Sequence, residues 1–248
     1  MATQRRPERE RTETPLNPHE EHWTVSGPIR PVAPEERIQE LELNAHATVA
    51  DAAPLGLAAF AATTFVLGAT AAGWGEITSV GPGISPIGFI AAVPTLIIFG
   101  GIAQFVAAMW AFRKGSTFWA TFLGVFGSLY ATVGLGVLIG ASAIATAGGI
   151  PFGVISPSVA GGVSIAMFAF IAGYLTWAAM GESSVMVWVS AFLTASLALL
   201  SAAFFIGGGG FVVFWAAGYA AIASALGAFY ASAAIVINST MQREVLPY

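Results

Sequence analysis

The sequence predicts an all-α integral membrane protein, a six-transmembrane-helix bundle preceded by a disordered polar N-terminal leader. The first reason is composition, because charged residues make up 9% of the chain, against about 25% in a typical soluble domain. The second is the segregation of charge, since residues 52–241 contain only four charged side chains: Glu76, Arg113, Lys114 and Glu182. A soluble domain could not leave so long a region almost uncharged, so we expect this region to lie in a bilayer.

The polar leader is predicted to cover residues 1–49, and the transmembrane domain residues 50–248. The leader is rich in Arg, Glu, Pro and Thr and lacks the apolar segment of a secretory signal peptide, so most of it should be disordered. Within it, residues 34–43 place Ile38 and Leu41 on one side of a short helix. We interpret this segment as a solvated or interfacial helix, and a partner-binding motif is the less favoured alternative.

The first span is predicted from residue 51 to about residue 73. Asp51 is its expected N-cap, and Pro54 falls in the first turn, where the missing N–H costs nothing. The second span, residues 87–112, contains Pro94 and should kink there. The remaining spans are predicted at residues 118–145, 159–180, 185–206 and 211–237, and the main loops at residues 75–86 and 148–157.

Basic residues predict the orientation of this bundle. Arg113 and Lys114 are the only ones between Arg37 and Arg243, and the positive-inside rule places their short loop in the cytoplasm. Six spans put both termini on one side of the membrane. We therefore expect a multi-pass protein of the plasma membrane with both termini cytoplasmic.

Small residues recur at four-residue spacing in the third and sixth spans. Such rows let helix backbones approach closely and predict a tight bundle. Because the sixth span carries two rows on neighbouring faces, contact between subunits is also allowed. The rows are Ala223, Gly227 and Ala231; Ala220, Ser224, Ala228 and Ser232; and, in the third span, Gly136 and Gly140.

The predicted membrane interior contains almost no side chains that carry chemistry. All three histidines lie in the leader, the only lysine is Lys114 in a loop, and cysteine is absent. No Asp or Glu falls in the middle of a span. We therefore expect no catalytic residue, no metal site and no cofactor. The neutral polar side chains that remain to line a pathway include Thr63, Thr64, Gln104, Ser128 and Thr194.

Three separated blocks of sequence carry a family resemblance. The first is PLGL at residues 54–57, followed by Phe60, Thr63 and Thr64. The second comprises GGIAQ at 100–104, KGSTF at 114–118 and GS at 127–128. The third joins AGY at 217–219 to Tyr230, Asn238 and the closing VLP at 245–247. Over residues 50–247 the chain resembles the acetate uptake transporter family, the succinate–acetate permeases.

The resemblance implies a six-helix protomer, usually assembled as a hexamer, with a separate substrate path through each subunit. It also implies a hydrophobic constriction, formed here by Phe60, Phe126 and Leu193, with Ala228 of the last helix beside it. Thr64, Gln104 and Ser128 are the polar candidates along the path. The alternative for the two phenylalanines is ordinary core packing, and for Gln104 it is a helix–helix hydrogen bond.

This chain departs from the family pattern at several positions. The opening motif normally reads NPAPLGL, and Asp51 and Ala52 stand here in place of its Asn and first Pro. The family often has tyrosine where this chain has Phe126, so a hydroxyl is lost at the narrowest point. The acid that usually precedes the basic loop is replaced by Ala111. That replacement removes a candidate carboxylate for coupling.

The resemblance implies a membrane transporter for acetate and similar small monocarboxylates, and not an enzyme. Its expected partners are a small carboxylate, the lipid bilayer and further copies of the chain, with no nucleic acid. We expect the acid to cross the constriction together with a proton. A passive channel for small anions or neutral solutes is one alternative. A non-transporting scaffold whose acidic leader recruits a partner is another, and deleting the leader should separate it from a transporter.

Overall fold

The computed structural model describes residues 35, 37–39, 50–74, 91–147, 159–207 and 210–248, with backbone alone for residues 140–147 and 211. The chain divides into two units, residues 1–45 and 46–248. In the first unit the described residues, Glu35 and 37–39, are helical and exposed. The predicted loops at residues 75–86 and 148–157 lie outside the described residues.

The second unit contains six apolar helices, each long enough to cross a membrane. The prediction of an all-α membrane protein with six spans is therefore confirmed, and the described ranges contain no strand. The six helices are α1 (Ala53–Ala71), α2 (Ala91–Arg113), α3 (Thr117–Ala147), α4 (Val159–Ala179), α5 (Ser184–Ile206) and α6 (Phe211–Met241).

The start of α1 differs by one residue from the prediction. Ala52, not Asp51, occupies the N-cap position, and its methyl side chain cannot form a capping hydrogen bond. The Asp51 carboxylate nevertheless accepts a hydrogen bond from the Ala53 N–H at 3.1 Å, so it satisfies one of the free donors at the helix start. Pro54 lies in the first turn, as predicted.

Where a kink was predicted at Pro94, the structure has a π-helical segment. Residues Thr95–Ala103 form a π-helical segment immediately after Pro94, and α-helical geometry resumes from Gln104. Proline lacks an N–H and crowds the preceding turn, and a helix relieves this by changing its hydrogen-bond pattern. The π segment presses Gly100 against α1, where an added Cβ would lie 2.6 Å from Thr63 Cγ2.

The helices pack in the order α4, α5, α6, α1, α2, α3. Extensive contacts join α1 to α6, α2 to α3, α4 to α5 and α5 to α6, whereas α3 and α4 touch only sparsely. Hydroxyl groups of α5 and α6 bridge these seams to backbone carbonyl groups. Ser224 donates to the Val189 carbonyl and Ser232 to the Pro54 carbonyl, each at 2.8 Å. Such bonds satisfy polar groups that a bilayer cannot solvate.

The two small-residue rows of α6 are used inside the protomer. An added Cβ on Gly227 would lie 2.8 Å from the Trp188 ring of α5, and Ala228 and Ala231 are fully buried. These rows therefore pack against α5 and α1 and give no support to a subunit interface. Gly136 of α3 also differs from the prediction, because an added Cβ there would meet no atom within 4 Å.

Gly218 marks the closest approach between α1 and α6. An added Cβ would lie 2.5 Å from the Ala72 backbone nitrogen and 2.7 Å from the Gly68 carbonyl oxygen. We expect Gly218→Ala to destabilise the bundle by about 1–3 kcal/mol, because backbone atoms cannot move aside as a flexible side chain can. Thermal unfolding of the detergent-solubilised protein measures this effect.

Gly124→Ala is the matched control for that substitution. Its added Cβ would lie 3.6 Å from Ala108 Cβ, an ordinary contact, and alanine favours the helix over glycine. An unfolding temperature for Gly218→Ala equal to that of the control would mean that the α1–α6 approach is looser than described.

The C-terminal tail folds back on α6 beyond the predicted end of the last span. The helix runs to Met241 and stops at Gln242, which has a left-handed φ of 51°. The Asn238 side chain then accepts hydrogen bonds from the Val245 and Leu246 N–H groups, at 2.8 and 3.0 Å, and donates to the Leu246 carbonyl at 2.8 Å. Tyr230 donates to the Pro247 carbonyl at 2.6 Å. Tyr230, Asn238 and residues 245–247 of the third sequence block therefore form one structural clasp.

One end of the bundle collects most of its described charges. Lys114 forms an ion pair with Asp51 at 3.5 Å, and the Trp119 indole donates to the Glu182 carboxylate at 3.2 Å. Burial and the nearby Glu182 and Asp51 carboxylates raise the pKa of the Tyr248 phenol, although a hydrogen bond with Ser183 opposes the shift. The start of α1 and the C-terminus therefore lie at the same end, as six spans require.

Candidate functional site

A cavity of about 360 Å³ lies between α1, α3, α5 and α6. It extends from Thr64, Tyr130 and Leu193 in the middle of their helices to Ala71 and Phe214 near helix ends. The cavity therefore occupies the half of the bundle away from Lys114. Every described side chain that lines it is uncharged, and most are aliphatic or aromatic. Small-molecule sites are mostly apolar in the same way, with a few placed polar groups.

The inner end of the cavity carries a pair of hydroxyl groups. The Thr64 hydroxyl of α1 and the Tyr130 hydroxyl of α3 are hydrogen-bonded to each other, and both side chains are buried. The Tyr130 ring also packs against Phe60, with ring centroids 6.1 Å apart. The pair therefore lies where the cavity meets the aromatic core.

The residues of the predicted constriction belong to one buried apolar cluster beside that pair. Phe60 and Phe126 are fully buried, and their ring centroids lie 6.1 Å apart in an edge-to-face arrangement. Leu193 is 3% exposed, belongs to the same cluster and also lines the cavity. Ala228 completes the predicted set and is fully buried in this cluster. The structure thus brings all four residues together.

Phe122 and Tyr130 are functional candidates that the sequence reasoning missed. Phe122 contacts both phenylalanines of the predicted constriction, with its ring centroid 5.1 Å from those of Phe60 and Phe126. The signal was present in the sequence, because residues 118, 122, 126 and 130 of α3 are all aromatic at four-residue spacing. Side chains at this spacing lie on one face of a helix. This aromatic stripe leads from the cavity toward the Lys114 end.

Gln104 lies near the depth of the constriction but outside the cavity. It is nine residues from the end of α2, just as Phe126 and Leu193 are nine residues from the starts of α3 and α5; this separation corresponds to about 13 Å along a helix. Gln104 is fully buried, and neither polar atom of its amide has a partner among the described residues. An unsatisfied amide in this setting costs about 2–7 kcal/mol.

The other polar candidates lie elsewhere. Ser128 is exposed on α3, and its hydroxyl donates to the Gly124 carbonyl at 2.8 Å. Thr63 is buried and donates to the Ala59 carbonyl at 2.8 Å. Thr194 pairs with Thr176 of α4 at 3.0 Å, away from the cavity. Of the threonines and serine predicted along the path, the structure brings only Thr64 to the cavity.

Leu197 of α5 faces the protein interior. Its place in an apolar span would equally allow a lipid-facing leucine. It is 8% exposed and lines the cavity one turn beyond Leu193. Its true position follows from the four-residue spacing that places both leucines on one face of α5.

A bundle of six apolar helices around an uncharged cavity that ends at an aromatic layer is an architecture expected of a membrane transporter or channel for small solutes. Residues 37–247 match the model of the GPR1/FUN34/yaaH family. The chain belongs to this family. The resemblance predicted from the three sequence blocks is therefore confirmed.

The chain is also similar in sequence to individual proteins. The chain is 37% identical to Acetate permease A of Emericella nidulans over 86 residues, which are 33% of this chain and 24% of that protein. It is 29% identical over 216 residues to an uncharacterised protein of Methanothermobacter thermautotrophicus, covering 85% of this chain and 96% of the relative. The alignment with Acetate permease A thus spans about a quarter of that permease's length.

Among solved structures, the bacterial acetate channel SatP shares the fold. The TM-score is 0.68 at 24% sequence identity, and the alignment covers 81% of this chain and 99% of SatP. At this level of identity the similarity concerns the arrangement of the helices. It agrees with the six-helix architecture described above.

Proposed function

We propose that this protein carries acetate and similar small monocarboxylates across a membrane. The observation that carries the proposal is an uncharged cavity that reaches the middle of the bundle and ends at a hydroxyl pair and an aromatic layer. The similarity to Acetate permease A and the shared fold with the acetate channel SatP support the choice of substrate. A small apolar acid suits such a path because its methyl group fits the apolar walls.

The proposed gate consists of Phe60, Phe126 and Leu193, with Ala228 beside it. Support comes from their common buried cluster and from the position of Leu193, which contacts both the cluster and the cavity. Phe122 belongs to the same layer, because its ring contacts both phenylalanines. On the side of the cavity that faces the Lys114 end, this layer closes the proposed path.

Passage of the neutral acid is the mechanism that the uncharged path favours. The pKa of a small carboxylic acid is near that of a glutamate side chain, about 4.3. Protonating its carboxylate at pH 7 therefore costs roughly 3.7 kcal/mol of free energy. Moving the bare anion through a dry aromatic layer costs at least several kcal/mol, and no described cation lines the path to offset it. The proton therefore travels on the substrate.

An acetate-selective passive channel is the second candidate function. The observation in its favour is that SatP, which shares this fold, is an acetate channel. Uptake of labelled acetate into liposomes that contain only this protein tests the main proposal. We expect saturable uptake above that of empty liposomes, and the same uptake after deletion of residues 1–49. Absence of uptake by the full-length protein would favour the scaffold alternative, in which the chain does not transport.

We further propose a homo-oligomer, a hexamer as the family resemblance implies, in the plasma membrane. The exposure of α4 supports assembly, because only 17% of its span is buried within the protomer. Large apolar side chains such as Met167, Phe170 and Trp177 project from its surface. Native mass spectrometry of the protein extracted in a mild detergent measures the subunit number.

We also propose that the protein is oriented with both termini in the cytoplasm. In a chain without cysteine, a cysteine introduced at Ser116 should react only with a reagent that crosses the membrane. A cysteine at Ser79, in the loop predicted at residues 75–86, should react with an impermeant reagent added outside intact cells. The basic pair Arg113 and Lys114 next to Ser116 is the physical reason. The opposite labelling pattern would mean that the bundle sits the other way round.

A further inference from the structure

The Thr64–Tyr130 pair differs from the other hydroxyl groups along the cavity. Ser196 donates its proton to the Ala217 carbonyl at 2.8 Å, and Thr132 donates to the Ser128 carbonyl at 2.8 Å. Both hydroxyl groups therefore already donate to carbonyl groups of the helix backbone. Thr64 and Tyr130 instead bond to each other, across 66 residues of sequence, and neither bonds to any other described group.

The two hydroxyl groups of this pair have hydrogen-bonding capacity that their mutual bond does not use. Each hydroxyl has one O–H donor and two acceptor lone pairs. The bond between the two groups consumes one donor, so one O–H and several lone pairs remain at the inner end of an apolar cavity. A buried donor without a partner is costly, and the cavity is the space from which a partner can come.

We propose that Thr64 and Tyr130 bind the carboxyl group of the substrate in its neutral form, an inference that rests on the proposed transport of small acids. The acid O–H donates to one hydroxyl oxygen, that hydroxyl donates to its neighbour, and the neighbour donates to the acid C=O. The three donors and three acceptors close a ring, with no proton transferred. A carboxylate anion has no donor and would leave this ring open.

The pair lies next to the aromatic layer along α3. Tyr130 is four residues from Phe126, which is about 6 Å along the helix. Its hydroxyl lies at the inner end of the cavity, whereas Phe126 lies in the buried aromatic layer. Polar recognition and the apolar gate are thereby separated into two successive steps.

The pair also predicts which uncharged molecules bind. Acetamide offers an N–H donor and a C=O acceptor, as acetic acid does, whereas acetone offers the acceptor alone. Acetamide should therefore compete with labelled acetate more strongly than acetone does. This difference should disappear when the pair is broken, a result that a merely structural bond between α1 and α3 would not produce.

The test measures the KM for acetate and competition by acetamide and acetone, in liposomes containing the full-length protein. Tyr130→Phe and Thr64→Val should each raise the KM about threefold to tenfold, the usual effect of one lost hydrogen bond. Thr64→Ser keeps the hydroxyl and should raise the KM less than Thr64→Val does. Thr194→Val breaks a hydroxyl pair outside the cavity and is the matched control.

The outcomes separate this inference from the function on which it rests. A KM for Tyr130→Phe and Thr64→Val equal to that of Thr194→Val, with wild-type competition, would overturn the carboxyl site while acetate transport stands. If only one variant inserts and folds, its KM and its competition pattern decide the question. Wild-type liposomes that take up no acetate would reject the proposed function, and the carboxyl site with it.

Discussion

Leu193→Ala should open the gate to acids larger than acetate, such as lactate and succinate. Leu193 contacts the cavity on one side and belongs to the buried cluster of Phe60 and Phe126 on the other. Truncating it removes the apolar branch that narrows the path at this layer. If the barrier for lactate falls by about 1.4 kcal/mol, its uptake rises about tenfold. Acetate uptake should change much less, because acetate already passes.

The measurement is uptake of labelled lactate and acetate into liposomes, expressed as a ratio for each variant. Leu226→Ala is the appropriate control, because Leu226 is 56% exposed on α6 and the substitution is chemically identical. The loss of a buried leucine costs about 2–5 kcal/mol of stability, so insertion and unfolding temperature are checked in parallel. An unchanged ratio in a folded Leu193→Ala protein would remove this leucine from the gate.

Acetate uptake should rise steeply as the pH falls and should carry almost no net charge. The neutral fraction of an acid with a pKa near 4.3 grows about a hundredfold between pH 7 and pH 5. Below the pKa the neutral form predominates and the rise should level off. Because the described cavity lining contains no titratable group other than the Tyr130 phenol, this dependence belongs to the substrate.

Uptake into liposomes with a clamped membrane potential measures both properties. Acetamide, which does not titrate in this range, is the control and should enter at a rate independent of pH. Asp51 and Glu182 lie at the end of the bundle and can affect only entry or exit there. A current carried by acetate at neutral pH, insensitive to external protons, would make this protein an anion channel.

The six spans could be predicted because lipid imposes a simple rule on sequence. Charged residues stay out of the hydrocarbon, and the few that remain mark the turns, as Arg113 and Glu182 do. The form of α2 could not be predicted in the same way. Pro94 signals an irregular helix, but not that its π-helical path brings Gly100 close against Thr63 of α1. That contact exists only in the assembled bundle.

The residues of the candidate site could be predicted only where the family pattern identifies them. The resemblance selected Phe60, Phe126, Leu193 and Ala228, and the structure places them in one cluster. The facing of Leu197 was not predictable from hydropathy, because lipid and protein interior are equally apolar and a membrane helix need not be amphipathic. Tyr130 could have been found from the aromatic spacing of α3, but its partner Thr64 lies on another helix.

The clasp of the tail on α6 makes a few residues beyond the last span part of the folded bundle. A truncation directly after Glu244 removes only residues 245–248, yet it deprives Asn238 of three hydrogen bonds and Tyr230 of one. A tag or fusion partner joined at residue 244 would therefore replace these bonds, whereas one joined beyond residue 248 would leave them in place.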